Sequence, residues 1–354
     1  MNPPSATLQV TLVSSLDYTA ATHVAAMISG QPAADTLHAQ RHPFTVDGHD
    51  SGDFALELAE HICALAEEGK YGHTVVALDP EADPLEVGLI VDHVFTSHGH
   101  RDHDVHLRDL VTVVSVSAIR DLLFCDHAGA EDPIHDYDVA ERLARQLEFA
   151  SVIVVLGGNA HPESWRREVT ALIGRLNPRA LVVPLASVAR LATSRRRRVD
   201  AAVLGRSLGW MLELAHTVAH TPQHHGVNTV VFRDPRPFHP ARLSEVVNHC
   251  LEPAQVGTIL RSRGLIKLAS RPQRVGSWAS AGRVLTIEPT SMLSWDAESP
   301  AGQEIVFFGH ELRHDRLIDV LSACLLSDDE FIAGPMEWAN YRDPFPEWLI
   351  DRQH

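Results

Sequence analysis

Short apolar runs rich in valine alternate along the first half of the chain with longer stretches whose apolar residues recur every three or four positions. "LQVTLVSS" (8–15), "HTVVALDP" (73–80), "LVTVVSVSA" (110–118), "SVIVVLGG" (151–158) and "ALVVPL" (180–185) have the length and β-branched content of buried strands. Helical spacing marks the Ala-rich stretch ending at Ser29, then residues 51–69, 84–94, 138–150 and 163–176. Ser51 or Asp53 is placed to cap the second of these helices, and Gly69 to stop it. Strands of this kind alternating with helices predict an α/β domain over about 1–188, its parallel sheet covered on both faces.

The pattern then changes. Residues 189–226 hold "TSRRRRVD" and "AHTVAHTPQHHG" and read as a His/Arg-rich linker with a helix inside it. Beyond it, "VNTVVFRD" (227–234), "GLIKLAS" (264–270), "GRVLTIEP" (282–289) and "QEIVFFG" (303–309) read as strands. "PARLSEVVNHCL" (240–251) and "HDRLIDVLSACLL" (314–326) have helical periodicity. Turns join several of these strands, so a smaller α+β domain with an antiparallel sheet is expected over 227–333. A tail, 334–354, carries Trp338, Tyr341, Phe345 and Trp348, which are expected to pack back onto that domain.

Composition narrows the function. Apolar residues are 45% of the chain, yet no apolar run approaches the roughly 18 residues of a membrane helix. The first residues lack the basic and apolar regions of a secretory leader. Cys63, Cys125, Cys250 and Cys324 are far apart in sequence and read as thiols of a cytoplasmic protein. The net charge of −16 argues against DNA as a partner and requires a local basic patch for any RNA contact. Arg261, Arg263, Lys267, Arg271 and Arg274 form the better candidate, the run at 195–198 reading as solvated linker. Lys70 and Lys267 are the only lysines in the chain.

Histidine is the other departure. "TSHGHRDHDVH" (96–106) sets His98, His100, Asp102, His103 and His106 in H-x-H-x-D-H spacing, the ligand types and order of a dinuclear zinc hydrolase of metallo-β-lactamase type. "HTPQHHG" (220–226) and Asp234 would complete such a site. Against it, the loop runs into a strand where that chemistry wants a helix, and the later ligands follow more than a hundred residues on. The loop histidines are therefore read as either a non-catalytic zinc site or solvated loop side chains. A second, weaker set is His216, His220 and His224, which at i, i+4 and i+8 would stripe one face of a helix. "HELRH" (310–314) has the H-E-x-x-H pattern, but a strand enters it and the helical periodicity begins after His310, so its imidazoles would diverge.

The second domain carries a resemblance. "VVFRDPRPFHPARL", "ILRSRGLIKLASRP", "WASAG", "VFFG" and "LLSDDE", in that order, resemble the C-terminal domain of CobW-like proteins, and "LEFASVIVV" and "LNPRALVV" resemble their first domain. The resemblance implies a P-loop NTPase-like sheet, followed by the CobW C-terminal domain, and a role in metal-cofactor insertion or zinc homeostasis. The family's nucleotide motifs have lapsed. Ser15 and Ala20 stand at the P-loop glycine positions and Ala21 at the lysine, and only Thr22 keeps the magnesium-binding hydroxyl. The base-selecting motif reads Leu156-Gly157-Gly158-Asn159, E-x-x-G reads Ala77-Leu78-Asp79-Pro80, and V-D-A reads Val116-Ser117-Ala118. The cysteine-rich metal motif expected near "TVDGHDSGD" has no cysteine. The expectation is a pseudo-GTPase that binds and recruits a protein partner, with Thr22 a vestige, zinc its metal and GTP binding doubtful. The tail and the lost P-loop also resemble an actinobacterial branch associated with the ribosome and a hibernation factor. The alternatives are a nucleotide-dependent zinc metallochaperone and the zinc hydrolase.

Overall fold

The computed structural model describes residues 7–30, 37–38, 51–97, 104–125, 133–157, 160–193, 198–217 and 223–348. Contacts divide the chain into two compact units. The first comprises 1–120, 141–169 and 176–209; the second comprises 121–140, 170–175 and 210–354.

The first half of the chain supplies, in order, β1 (Thr7–Ser14), α1 (Tyr18–Ser29), β2 (Leu37–His38), α2 (Ser51–Glu67), β3 (Gly72–Ala77), α3 (Pro84–Ser97) and β4 (Asp104–Ser115). There follow α4 (Val116–Ile119), α5 (Pro133–Glu148), β5 (Val152–Leu156), α6 (Glu163–Leu176), β6 (Leu181–Pro184), α7 (Ala189–Thr193) and α8 (Ala201–Gly205). The strands form one parallel sheet in the order β2-β3-β1-β4-β5-β6, the P-loop-like arrangement that the resemblance implies. Both faces are apolar. Val13, Val75, Val113 and Val154 pack with Val24, Ala25 and Ile28 of α1, while the alternate residues Leu8, Val10 and Leu12 are buried on the other side.

One strand departs from the expected bounds. β4 begins at Asp104 instead of residue 110, so His106 lies within the sheet, opposite Gln9, and not on the preceding loop. The register shifts between Val10 and Thr11: Val10 faces Leu107 and Thr11 faces Asp109. Arg108 is the extra residue of that bulge, which frees its side chain to reach polar partners inside the domain. It reaches Nδ1 of His73 at 3.0 Å and the carbonyl of Leu191.

The second unit adds α9 (Gly209–Leu214), β7 (Gln223–His224), β8 (Val227–Asp234), α10 (Pro240–His249), α11 (Pro253–Val256) and β9 (Thr258–Ile266). It continues with β10 (Arg274–Ala281), β11 (Val284–Leu293), β12 (Gln303–His310), α12 (His314–Ser322), α13 (Asp328–Ala333) and α14 (Pro335–Trp338). Its sheet, in the order β11-β10-β9-β12-β8-β7, is antiparallel, as the turn-joined strands predict. Val230, Phe232, Ile305, Phe307 and Trp278 cover one face and meet Leu243 of α10 and Leu317, Val320 and Leu321 of α12. At the sheet's centre, Gly264 passes so close to the Glu304 carbonyl of β12 that a Cβ there would lie 2.1 Å from it.

The tail aromatics close this core, as expected. Phe345 and Trp348 pack against it, the Trp348 indole donates to the Ile287 carbonyl at 3.3 Å, and the Arg271 guanidinium sits 4.4 Å from the ring centre. Trp338 is buried with Ala269 and Leu326, and Tyr341 stacks on His239. No helix among the described residues is long and apolar enough to cross a membrane.

Candidate functional site

The turn between β1 and α1 is where the P-loop of the resembling family would lie. Here it is reduced to Ser15, Leu16 and Asp17, because α1 already begins at Tyr18. Asp17 caps the helix: its Oδ1 accepts from the backbone N–H of Thr19 at 2.9 Å and of Ala20 at 3.3 Å. The N–H of Ala21 donates to the Asp17 carbonyl at 3.0 Å. The first turn of α1 thus spends three donors on one residue, and the charge at the positive end of the helix is the protein's own carboxylate. Thr22 is held away from that end, its hydroxyl donating to the Thr19 carbonyl at 2.9 Å. Ser15 is buried and accepts from the Asp17 N–H at 3.1 Å.

A second carboxylate, Asp79, stands near this turn. Burial pushes the Tyr18 phenol up, and the nearby Asp79 carboxylate pushes it further in the same direction. Asp79 itself accepts from the Glu81 N–H at 2.9 Å. Val116, Ser117 and Ala118 open α4 under a Ser115 cap, where the family has its aspartate. Beyond β5, Gly157 has a left-handed backbone and His161 stacks on Trp165, while Arg120 lies 4.8 Å from the centre of the Trp165 ring and pairs with Glu168 at 2.5 Å. Gly158 and Asn159 lie outside the described residues.

The histidine sets are placed as follows. His98, His100, Asp102 and His103 lie outside the described residues, as does His220. His106 is buried in β4, so it is not part of a solvent-facing ligand loop with the others. The helical stripe does not form: α9 ends at Leu214, His216 follows in a left-handed turn, and His224 belongs to β7. His216 instead meets Arg233 Nη1 at 2.9 Å. Asp234, the last ligand of the hydrolase alternative, lies in the second unit and is held by Arg236 at 3.0 and 3.1 Å. Burial alone would raise its carboxyl, but those hydrogen bonds outweigh it and hold Asp234 below the usual range. His310 ends β12 and His314 opens α12, with a left-handed Glu311 between them, so H-E-x-x-H has no continuous helix. No group of three or more ligating side chains with metal-holding geometry occurs among the described residues.

Four of the five residues of the basic stretch bond inside the second unit. Arg261 is fully buried and donates to the Ser280 carbonyl at 3.2 Å. Lys267 reaches the Ser294 carbonyl, Arg271 the Asp343 carboxylate, and Arg274 the Thr290 carbonyl. Alternation along β9 and the return of the tail draw these four side chains into bonds within the unit.

Two features were not read from the sequence. Asp17 followed by a helical run is an N-cap signal, and it was available. The chain Thr11–His73–Arg108 was hinted at only by polar residues within apolar strands. Thr11 Oγ1 lies 2.8 Å from His73 Nε2, and Arg108, which can only donate, faces Nδ1. His73 is therefore neutral with its proton on Nε2. Burial, and then the Arg108 charge, bring its pKa down to about 4.

Comparison with known proteins adds the following. Residues 227–325 match the family model described as the cobalamin synthesis protein cobW C-terminal domain. A Mycobacterium tuberculosis protein, "Zinc chaperone Rv0106", is 29% identical over 334 residues, covering 82% of this chain and 75% of its own. The Dictyostelium discoideum "Zinc-regulated GTPase metalloprotein activator 1" is 26% identical over 325 residues, covering 81% and 66%. Among solved structures, the Zn(II)-bound YjiA GTPase from E. coli aligns at 18% identity and a TM-score of 0.36, over 92% of this chain and 100% of that one.

Proposed function

We propose that the chain, whose residues 227–325 match the cobW C-terminal domain, serves zinc homeostasis as a CobW-like binding and recruitment factor that does not hydrolyse GTP. The observation that carries the reading is the Asp17 cap. In a P-loop, flexible glycines turn backbone N–H groups toward phosphate and a lysine neutralises it. In this chain the corresponding turn is helical, its donors are occupied by Asp17, and Ala21 replaces the cation. A triphosphate at this point would meet a carboxylate where the family supplies donors and positive charge. The residues present therefore do not fit that ligand.

Calorimetric titration of GTP with magnesium into the purified chain tests this directly. No saturable binding is expected up to millimolar nucleotide. Binding in the micromolar range would instead establish the nucleotide-dependent zinc metallochaperone, the reading that the names of the relatives favour. For the recruited partner, the tail resemblance points to the ribosome or its hibernation factor. The expected outcome is co-sedimentation with purified ribosomes at low zinc and release at high zinc. Protein left in the supernatant under both conditions removes the ribosome from the proposal.

A further inference from the structure

Apolar side chains stand exposed on one part of the second unit. After the buried Leu326 the chain turns into α13 and α14, where Phe331, Ala333 and Pro335 are exposed, Ile332 is 81% exposed and Met336 91%. They form one continuous apolar run, "FIAGPM", at 331–336.

This surface is held rigidly from beneath. Ser327 and Glu330 form a capping box, with bonds of 2.8 and 3.3 Å. Arg242 of α10 clamps Glu330 with two bonds, at 3.0 and 2.6 Å. The Trp338 indole donates to the Glu330 carbonyl at 2.6 Å and stacks on Phe331, while its far side is buried with Leu326 and Ala269. A fixed segment that keeps isoleucine and methionine in water has the composition and preorganisation of an interface centre.

The rim identifies the occupant. Asp328, Asp329 and Glu337 surround the apolar run and are exposed, the Asp328 side chain by 92%. Two of the neighbouring cations are engaged: Arg242 with Glu330, and Arg236 with Asp234 and, at 4.0 Å, with Asp328. Among the described residues, Asp329 and Glu337 have no ion-pair partner. A second copy of this chain would bring its own acidic rim and a net charge of −16 to the same place.

We propose that α13 and α14 form a docking platform for a cationic protein segment, whose apolar side chains cover Ile332 and Met336 while its lysines and arginines face Asp328, Asp329 and Glu337. The proposal gives the recruitment reading a surface, but it stands independently of nucleotide binding, and its test involves none.

The probe is a fluorescent 18-residue amphipathic helix of leucine and lysine, followed by anisotropy with the full chain at physiological salt. A scrambled peptide of the same composition measures charge attraction alone. The wild-type chain is expected to prefer the amphipathic peptide. The double variant Ile332→Ser/Met336→Ser should bind it roughly tenfold more weakly, with an unchanged melting temperature. Asp329→Asn/Glu337→Gln should lose a severalfold factor together with most of the salt dependence. Should the double serine variant melt lower, Met336→Ser alone, at the most exposed position, carries the test. Equal binding by wild type and serine variants, or equal binding of the scrambled peptide, overturns the proposal. So does a wild-type dimer in sedimentation that the serine variants convert to monomer, because the occupant would then be a second copy.

Discussion

His73 shows how one neutral imidazole ties three strands and a helix together. It receives a hydrogen bond from Arg108 of β4 and gives one to Thr11 of β1, while Arg108 continues to the Leu191 carbonyl in α7. Protonation would put two cations face to face and remove the acceptor. Because the folded-state pKa falls to about 4, below the ordinary value near 6.5, the unfolded chain takes up the proton first on acidification. This contribution is therefore complete above about pH 6.5 and is lost progressively between about 6.5 and 4. Allowing for the partial exposure of the ring, the loss is about 1–2 kcal/mol. Denaturant melts of wild type and His73→Gln at pH 7.5 and 4.5 check it: the wild type should lose more stability across that interval than the variant. Equal losses would place the acid sensitivity elsewhere.

At the scale of elements, much of the fold was legible. Five strands of the first sheet and the helices between them follow from apolar periodicity, since burial on both faces leaves long valine-rich runs. β10 was harder to see as a strand. Its "RVGSWASA" is rich in small residues, because Gly276 lies 3.0 Å from the Trp348 ring at the position of a Cβ, a neighbour supplied from more than seventy residues away. Boundaries failed where polar residues are absorbed by long-range bonds. β4 opens with Asp104, His106, Arg108 and Asp109, which read as a solvated loop until the bulge and the buried network are known. The candidate site was legible mainly as missing motifs. That Asp17 takes the helix donors required the position at which α1 begins, and residue patterns alone place such starts only to within a few residues.

At the scale of the molecule, the pattern of the sequence changes at residue 227, but the second compact unit does not begin there. Its sheet is buried on both faces. Val306 and Phe308 alternate with Ile305 and Phe307, point away from α10 and α12, and are as fully buried. On that side the unit includes residues from much earlier in the chain: Leu122 packs against Gly282, the Phe124 ring meets His310 at 6.2 Å, and Arg175 donates to Thr229 at 2.7 Å. Segments 121–140 and 170–175 are thus part of the unit that the family model begins at 227. A fragment of residues 223–348 keeps the helical core and the tail but loses this cover. It is expected to expose Val306 and Phe308, and therefore to bind a hydrophobic dye and self-associate. Its cooperative unfolding should occur at lower denaturant than any transition of the intact chain. Size-exclusion chromatography with dye fluorescence, beside urea melts of fragment and full chain, measures both effects. A monomeric fragment that melts like the whole protein would show that the C-terminal sheet needs nothing from the earlier segments. The boundary read from sequence would then also be the physical one.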